Sequence, residues 1–209
     1  MGKLLRNSVW AGVWACGLLA VVQGVRPVTA AEPALQAGDF VAVCGDSITE
    51  QKAYSVFIED YLLMCQPAAN VRTMQFGWSG DTAGGFVANK LQNDVLRFQP
   101  TVVTTCFGMN DGAYRGPDAG IAANYRKNTQ AMLDQFKKGG VRTTVLGTPS
   151  CVDSYTYHRS PEQAKVYNET PASFRDIDRA LAAQNHVAFA DVFTPMFAAR
   201  AKAKAKYGE

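Results

Sequence analysis

The run Phe40-Val41-Ala42-Val43-Cys44-Gly45-Asp46-Ser47-Ile48-Thr49-Glu50 places a serine where it can do chemistry. An apolar segment stops at Gly-Asp-Ser and passes directly into a helical pattern. The Ser47 hydroxyl is thereby set at the carboxyl end of a strand and the amino end of a helix. Free backbone N–H groups and the helix dipole favour negative charge there. A serine so placed can act as a nucleophile whose developing oxyanion is stabilised by its own amide. A serine capping a helix after a glycine turn has the same local pattern, so other residues have to decide between the two. Gly80 lies in the glycine-rich run Gly77-Trp78-Ser79-Gly80-Asp81-Thr82-Ala83-Gly84-Gly85, where a residue without a Cβ can present an unblocked N–H. Asn110, in Phe107-Gly108-Met109-Asn110-Asp111, carries an amide able to donate a hydrogen bond. Each also has a plainer reading, a tight turn at Gly80 and an Asx turn or helix cap at Asn110. Brought around one point, the Ser47 N–H, the Gly80 N–H and the Asn110 amide make an oxyanion hole.

These residues act together only if the fold brings their loops to one edge. The pattern alternates strand and helix. Strands are expected over 40–44, 71–76, 101–107, 141–146 and 187–193. Helices are expected over 48–64, 86–98 and 121–138, the second stopped by Gln99-Pro100 and the third by Gly139-Gly140. A long polar loop runs from Gly147 to about Pro161, followed by helical segments broken at Pro171. The segment 101–107 is continuous in β-branched residues, as a strand buried on both faces should be. Five strands separated by helices imply an α/β fold, a three-layer α/β/α sandwich around a five-stranded parallel sheet. Sites in such sheets form at the carboxyl ends of the strands. Ser47, the 77–85 loop, Asn110-Asp111 and the 148–158 loop should therefore converge.

The first thirty residues are expected to be a secretory signal and not part of the fold. Lys3 and Arg6 precede an apolar stretch over 9–22, and Val28-Thr29-Ala30 offers small residues for cleavage. The apolar stretch is short for a membrane span. Cys16 lies mid-stretch with bulky Trp14 two residues before it, which argues against lipidation. The mature chain, 31–209, has the size of one domain with a sizeable core. It is expected to be exported, periplasmic or extracellular, without a stable membrane span. The formal net charge of +3 falls to about neutral once Lys3, Arg6 and Arg26 are removed. No nucleic-acid surface is implied. The basic stretch 200–206 reads as a solvated helix face. Four cysteines remain, Cys44, Cys65, Cys106 and Cys151. An exported chain can oxidise them in three pairings, and buried free thiols near strand ends are also common. Their spacing matches no zinc motif, and no metal is expected.

The blocks Gly45-Asp46-Ser47-Ile48, Gly77-Trp78-Ser79-Gly80-Asp81 and Gly108-Met109-Asn110-Asp111 resemble the first three blocks of the SGNH/GDSL hydrolases in order and strand-end placement. Their spacing also matches, with steps of 33 and then 30 residues from Ser47 to Gly80 to Asn110. The resemblance covers about 40–193. It implies a flavodoxin-like fold, no cofactor, and hydrolysis of esters, often acetyl groups on carbohydrates, or of lipid and thioester acyl groups. By it, Ser47 corresponds to the nucleophile. Gly80 through its N–H and Asn110 through its side chain correspond to oxyanion donors. The family's general base stands on a last block, Asp-x-x-His, shortly after the fifth strand. Here the histidines are His158 and His186, and neither has an acid three residues before it. Asp153 precedes His158 by five residues, and Asp191 has no histidine three residues later. His186 precedes the fifth strand, on the wrong edge, and His158 lies in a loop on the correct edge. Without a base the serine hydroxyl is a poor nucleophile near neutral pH. The expectation is a chain that stops early, with Asp and His following Glu209.

The leading expectation is thus a secreted serine esterase acting on a small-molecule or carbohydrate ester, with the base missing from these residues. The alternative is a non-catalytic domain that binds acylated carbohydrate on the same fold. An α/β-hydrolase is excluded because Gly77-Trp78-Ser79-Gly80-Asp81 puts Asp where Gly-x-Ser-x-Gly needs its last glycine. A flavin or phosphate binder is disfavoured because the same loop lacks a Gly-x-Gly-x-x-Gly pattern and a nearby lysine. Trp78, Tyr114, Tyr155 and Tyr157 fall in loops on the site edge, where aromatics stack on sugar rings or simply cover the core. Oligomeric state is not indicated.

Overall fold

Five short runs form the sheet: β1 (Phe40–Gly45), β2 (Arg72–Gly77), β3 (Val102–Cys106), β4 (Thr143–Gly147) and β5 (Ala188–Ala190). They run parallel in the order β2-β1-β3-β4-β5. The computed structural model describes residues 35–157 and 160–208. The leader expected over 1–30 and the loop residue His158 lie outside the described residues.

Successive side chains of β1 point to opposite faces of the sheet. Ala42 and Cys44 join Val103 and Leu146 against Phe86, Tyr125, Phe136 and Phe174 on one face. Val41 and Val43 join Val102 against Leu62 and Val71 on the other. Both faces of β1 are covered, which is why its sequence is apolar at consecutive positions rather than alternating. The helices are α1 (Ser47–Glu50), α2 (Ser55–Met64), α3 (Ala83–Asn89), α4 (Ala119–Lys138), α5 (Pro161–Asn185) and α6 (Phe193–Tyr207). The expected three-layer sandwich is the observed architecture. Among the described residues, no helix is long and apolar enough to cross a membrane.

Four local features differ from the sequence reading. The helix expected over 48–64 is two helices, because Lys52 adopts a left-handed conformation, φ 60°, and the Tyr54 hydroxyl closes on Thr49 Oγ1 at 2.7 Å. The helix expected over 86–98 starts earlier, where the Thr82 hydroxyl accepts from Gly85 N–H at 2.9 Å. It then changes to a π turn at Leu91–Val95 and a 3-10 turn at Leu96–Phe98. Pro171 does not break α5. Tyr167, Pro171, Phe174, Asp178 and Leu181 form one buried stripe in phase on both sides of it, and packing of that stripe outweighs the roughly 3 kcal/mol that an interior proline costs. β5 is three residues long, so Asp191 lies beyond it. The Asp191 carboxylate instead accepts from Thr194 N–H at 2.9 Å and turns the chain into α6. The four cysteines are free thiols, and burial pushes Cys106 up to about 12.

One buried acid carries a pH consequence. Asp178 is fully buried. Its Oδ2 accepts from the Tyr125 hydroxyl at 3.0 Å, and its Oδ1 has no partner among the described residues. Burial holds its carboxyl well above the usual range; the Tyr125 bond and the charge of Arg126 pull it down, and the charge of Asp111 pushes it up. The folded chain therefore keeps a proton that the unfolded chain releases near pH 4. Stability from this group is complete below that pH and is lost as pH rises toward the folded value, by up to about 1.4 kcal/mol per pH unit. Asp178→Asn keeps an acceptor for Tyr125 and removes the titration. Thermal melts at pH 5 and pH 8 should show a smaller fall in Tm for the variant than for the parent. An equal fall in both would refute the assignment.

Candidate active site

The strand ends are level. Gly45 pairs with Gly77 and with Cys106, Cys106 with Gly147, and Gly147 with Ala190. The loops that follow therefore leave from one edge, as the sequence order predicts. Gly45 and Gly77 are glycine for a steric reason. A Cβ on Gly45 would collide with Thr49 Oγ1 and the Cys106 carbonyl, and one on Gly77 with the Glu50 backbone. The α1 turn is thus pressed against the ends of β1 and β2.

That turn presents Ser47. Its N-cap is Asp46, whose carboxylate accepts from Ile48 N–H at 3.0 Å. Ser47 is therefore not the cap; it is the first helical residue, with an N–H that has no intrahelical acceptor. With only four residues in α1, the field at Ser47 comes from local N–H groups rather than from a long helix. Ser47 is half-buried, and among the described residues its hydroxyl has no hydrogen-bond partner.

Gly80 is the third residue of a turn closed by Asp81 N–H on the Trp78 carbonyl at 3.2 Å. Its φ of +74° is left-handed, the conformation that position of a type II turn requires. It is exposed. The turn is tied to β1 by Trp78 N–H donating to the Gly45 carbonyl at 3.2 Å.

Asn110 and Asp111 lock this loop to the next one. Asn110 Nδ2 donates to the Asp81 carbonyl at 2.7 Å, and its Oδ1 accepts from the Tyr114 hydroxyl at 3.2 Å. In the reverse direction, both Asp111 oxygens accept from Ala83 N–H, at 3.1 and 3.2 Å. Asn110 spends one amide hydrogen on Asp81 and keeps the second. Asp46, Asp81 and Asp111 share the neighbourhood. Burial, with a smaller push from Asp81, raises Asp46 to about 6 against the pull of the Ile48 N–H. Burial also raises Asp111 to about 6, opposed by the Ala83 N–H and helped by the charge of Asp46.

Ser47, Gly80 and Asn110 thus follow adjacent, level strand ends, and the Gly80 and Asn110 loops are bonded to each other. His186 is elsewhere. It caps α5 in a left-handed conformation, φ 55°, and lines a surface cavity with Lys137, Arg142 and Thr143 at the amino ends of β4 and β5. Asp191 is committed to Thr194 and to Arg179, at 3.2 Å. Among the loop aromatics, Trp78 covers the core. Its ring packs on Phe86 at 5.9 Å and Phe76 at 6.4 Å, with Lys90 Nζ at 5.4 Å. Tyr114 and Tyr157 stack on Tyr167, and Tyr155 is exposed. Among the described residues, no group of three His, Cys, Asp or Glu side chains is placed to hold a metal ion. The sequence reading missed the parts of Asp46, Asp111 and Tyr114: the Asp46 and Tyr114 bonds are local contacts that no motif signals, and the Asp111 bond forms only where two loops meet.

A family model described as GDSL-like lipase/acylhydrolase matches residues 43–208. No curated protein sequence matches the chain. A solved structure of a gut microbial diltiazem-metabolizing enzyme matches with 28% identity and a TM-score of 0.71, over 83% of this chain and 41% of that one. Axe2, an acetyl-xylooligosaccharide esterase from Geobacillus stearothermophilus, matches with 18% identity and a TM-score of 0.64, over 78% of this chain and 80% of that one. The acetyl xylan esterase AlAXEase matches with 21% identity and a TM-score of 0.60, over 80% and 84%. The chain therefore spans less than half the length of the first protein and about four fifths of the other two. At these identities the last two likenesses concern the fold. The Axe2 structures include catalytic mutants with a serine, an aspartate or a histidine replaced by alanine, the aspartate three positions before the histidine.

Proposed function

The chain belongs to the GDSL-like lipase/acylhydrolase family, and on that premise we propose that it is an exported serine esterase acting through a Ser47 acyl-enzyme. The observation that carries this reading is the pair of reciprocal ties between the Gly80 and Asn110 loops, beside Ser47 at level strand ends. Ser47 Oγ attacks the ester carbonyl. The tetrahedral oxyanion takes hydrogen bonds from the Ser47 N–H, the Gly80 N–H and the free hydrogen of Asn110 Nδ2. The C–O bond to the leaving group breaks, and the alcohol departs with a proton. Water then attacks the acyl-enzyme and releases the acid, restoring the Ser47 hydroxyl.

Each half of this sequence needs a base to take and return a proton. Ser47 has no such partner among the described residues, and no acid stands three residues before either histidine. We propose that the base is the histidine of an Asp-x-x-His block, which these 209 residues do not contain. The aspartate and histidine named in the Axe2 mutants support that arrangement. Acetyl esters of carbohydrates are the favoured substrates, supported by the two acetylxylan esterase likenesses, and the basic-then-apolar start of the sequence supports export.

The test is hydrolysis of an aryl acetate by the 209-residue chain beside a form extended through the downstream reading frame. The extended form should be faster by about 10²–10⁴-fold, the weight of a positioned general base. Strong Ser47-dependent turnover by the shorter chain would refute the missing base. Binding of acetylated xylo-oligosaccharide without turnover by either form would instead favour a non-catalytic binding domain, the reading motivated by the absent base.

A further inference from the structure

We infer that Tyr114 is a positioning residue that fixes the plane of the Asn110 amide, and this rests on the oxyanion role proposed for Asn110. An amide held at one end is fixed at a point and free to swing about it. Held at both ends, its plane is set. Asn110 is held at both ends: Nδ2 donates to the Asp81 carbonyl at 2.7 Å, and Oδ1 accepts from the Tyr114 hydroxyl at 3.2 Å. The Asp81 carbonyl can only accept, so the nitrogen must face it. The Tyr114 bond then determines where the second amide hydrogen points.

The backbone gives independent support. Ala113 and Tyr114 are consecutive non-glycine residues in the left-handed region, with φ 50° and 54°. Such residues are strained and persist where their surroundings over-determine them. Here Gly112 N–H donates to the Gly108 carbonyl, Ala113 N–H to the Asn110 carbonyl, both at 3.0 Å, and the Thr170 hydroxyl to the Arg115 carbonyl at 2.8 Å. The Tyr114 ring stacks on Tyr167, centroids 5.3 Å apart. Tyr167 is itself anchored by its hydroxyl on the Met109 carbonyl and stacks on Tyr157 at 6.2 Å. The loop thus bends through an unfavourable conformation, is pinned there from both sides, and delivers one hydroxyl to Asn110 Oδ1. A loop that merely covered the core would need the ring and not the hydroxyl.

Tyr114→Phe separates the two roles, because it keeps the ring, its stacking and the backbone and removes only the hydroxyl. The first readout is the order parameter of the Asn110 side-chain N–H₂ group, measured by ¹⁵N relaxation on the 209-residue chain. It should fall from the rigid range, about 0.85, to below about 0.6, with Tm unchanged. The second is aryl acetate hydrolysis by the downstream-extended form, where kcat should fall about five- to tenfold with KM unchanged, the weight of one hydrogen bond in the transition state. An unchanged order parameter would overturn the positioning role, whatever the kinetics. If Asn110→Ala leaves kcat intact, the oxyanion reading fails instead, and the relaxation result still decides whether Tyr114 holds the amide.

Discussion

Ser47→Ala removes ester turnover on the order of 10⁵–10⁶-fold in the downstream-extended form, the scale of losing a serine nucleophile, and leaves stability within about 0.5 kcal/mol. The combination is informative because the plainer reading of this serine predicts the reverse. If Ser47 were the helix cap, alanine would cost about 1 kcal/mol and affect no chemistry. The cap, however, is Asp46, whose carboxylate takes the Ile48 N–H at 3.0 Å. The Ser47 hydroxyl is half-buried at the mouth of the site and has no partner among the described residues. A hydroxyl that makes no bond contributes little to folding, so removing it should change rate and not stability. The measurement is kcat/KM on an aryl acetate together with urea unfolding of the same preparation. A variant that unfolds more easily and still turns over ester would overturn the nucleophile assignment.

What the sequence disclosed and what it withheld divide along a physical line. β1 and β3 were legible because strands buried on both faces read as continuous apolar, β-branched runs. The common edge followed from strand–helix alternation, which puts every strand's carboxyl end on one side. The convergence of Ser47, Gly80 and Asn110 needed nothing more than order. A tight turn at Gly80 was legible too, from the glycine-rich run around it. The departures depend on particular side-chain contacts that periodicity along an element does not report. Lys52 turns left-handed where the Tyr54 hydroxyl reaches Thr49. Pro171 stays helical because the stripe through Tyr167, Phe174 and Leu181 is buried. Asp111 finds its donor at Ala83, 28 residues earlier. Ala113 and Tyr114 carry no local signal for a left-handed turn. Sequence periodicity reports burial along an element, and it does not report which loop will meet which. For the site, this means that Ser47, Gly80 and Asn110 were visible as candidates and the bonds that tie their loops together were not.

Phe86→Ala should lower the unfolding free energy by about 3–5 kcal/mol, the range for emptying a well-packed aromatic site, out of a total of about 5–15 kcal/mol for a domain. Phe86 is fully buried. Its ring lies 4.9 Å from Phe107, 5.9 Å from Trp78 and 6.5 Å from Phe136, centroid to centroid. Those three partners come from the end of β3, the loop after β2 and α4, so the cavity cannot close by moving one side chain. Collapse would require α3 to move, and α3 is pinned at its start by Ala83 N–H on Asp111. The cost should therefore fall in the upper part of the range. Urea unfolding should show a lower midpoint with an unchanged slope. A loss below about 1.5 kcal/mol would mean that the surroundings refill the space and that α3 is not held as firmly as its bonds imply. The same pinning links the core to the chemistry. Any shift of α3 that relieved the cavity would pull on Ala83 and, through Asp111, on the neighbouring Asn110. A refolded Phe86→Ala protein should then lose kcat as well as stability, whereas Ser47→Ala separates the two.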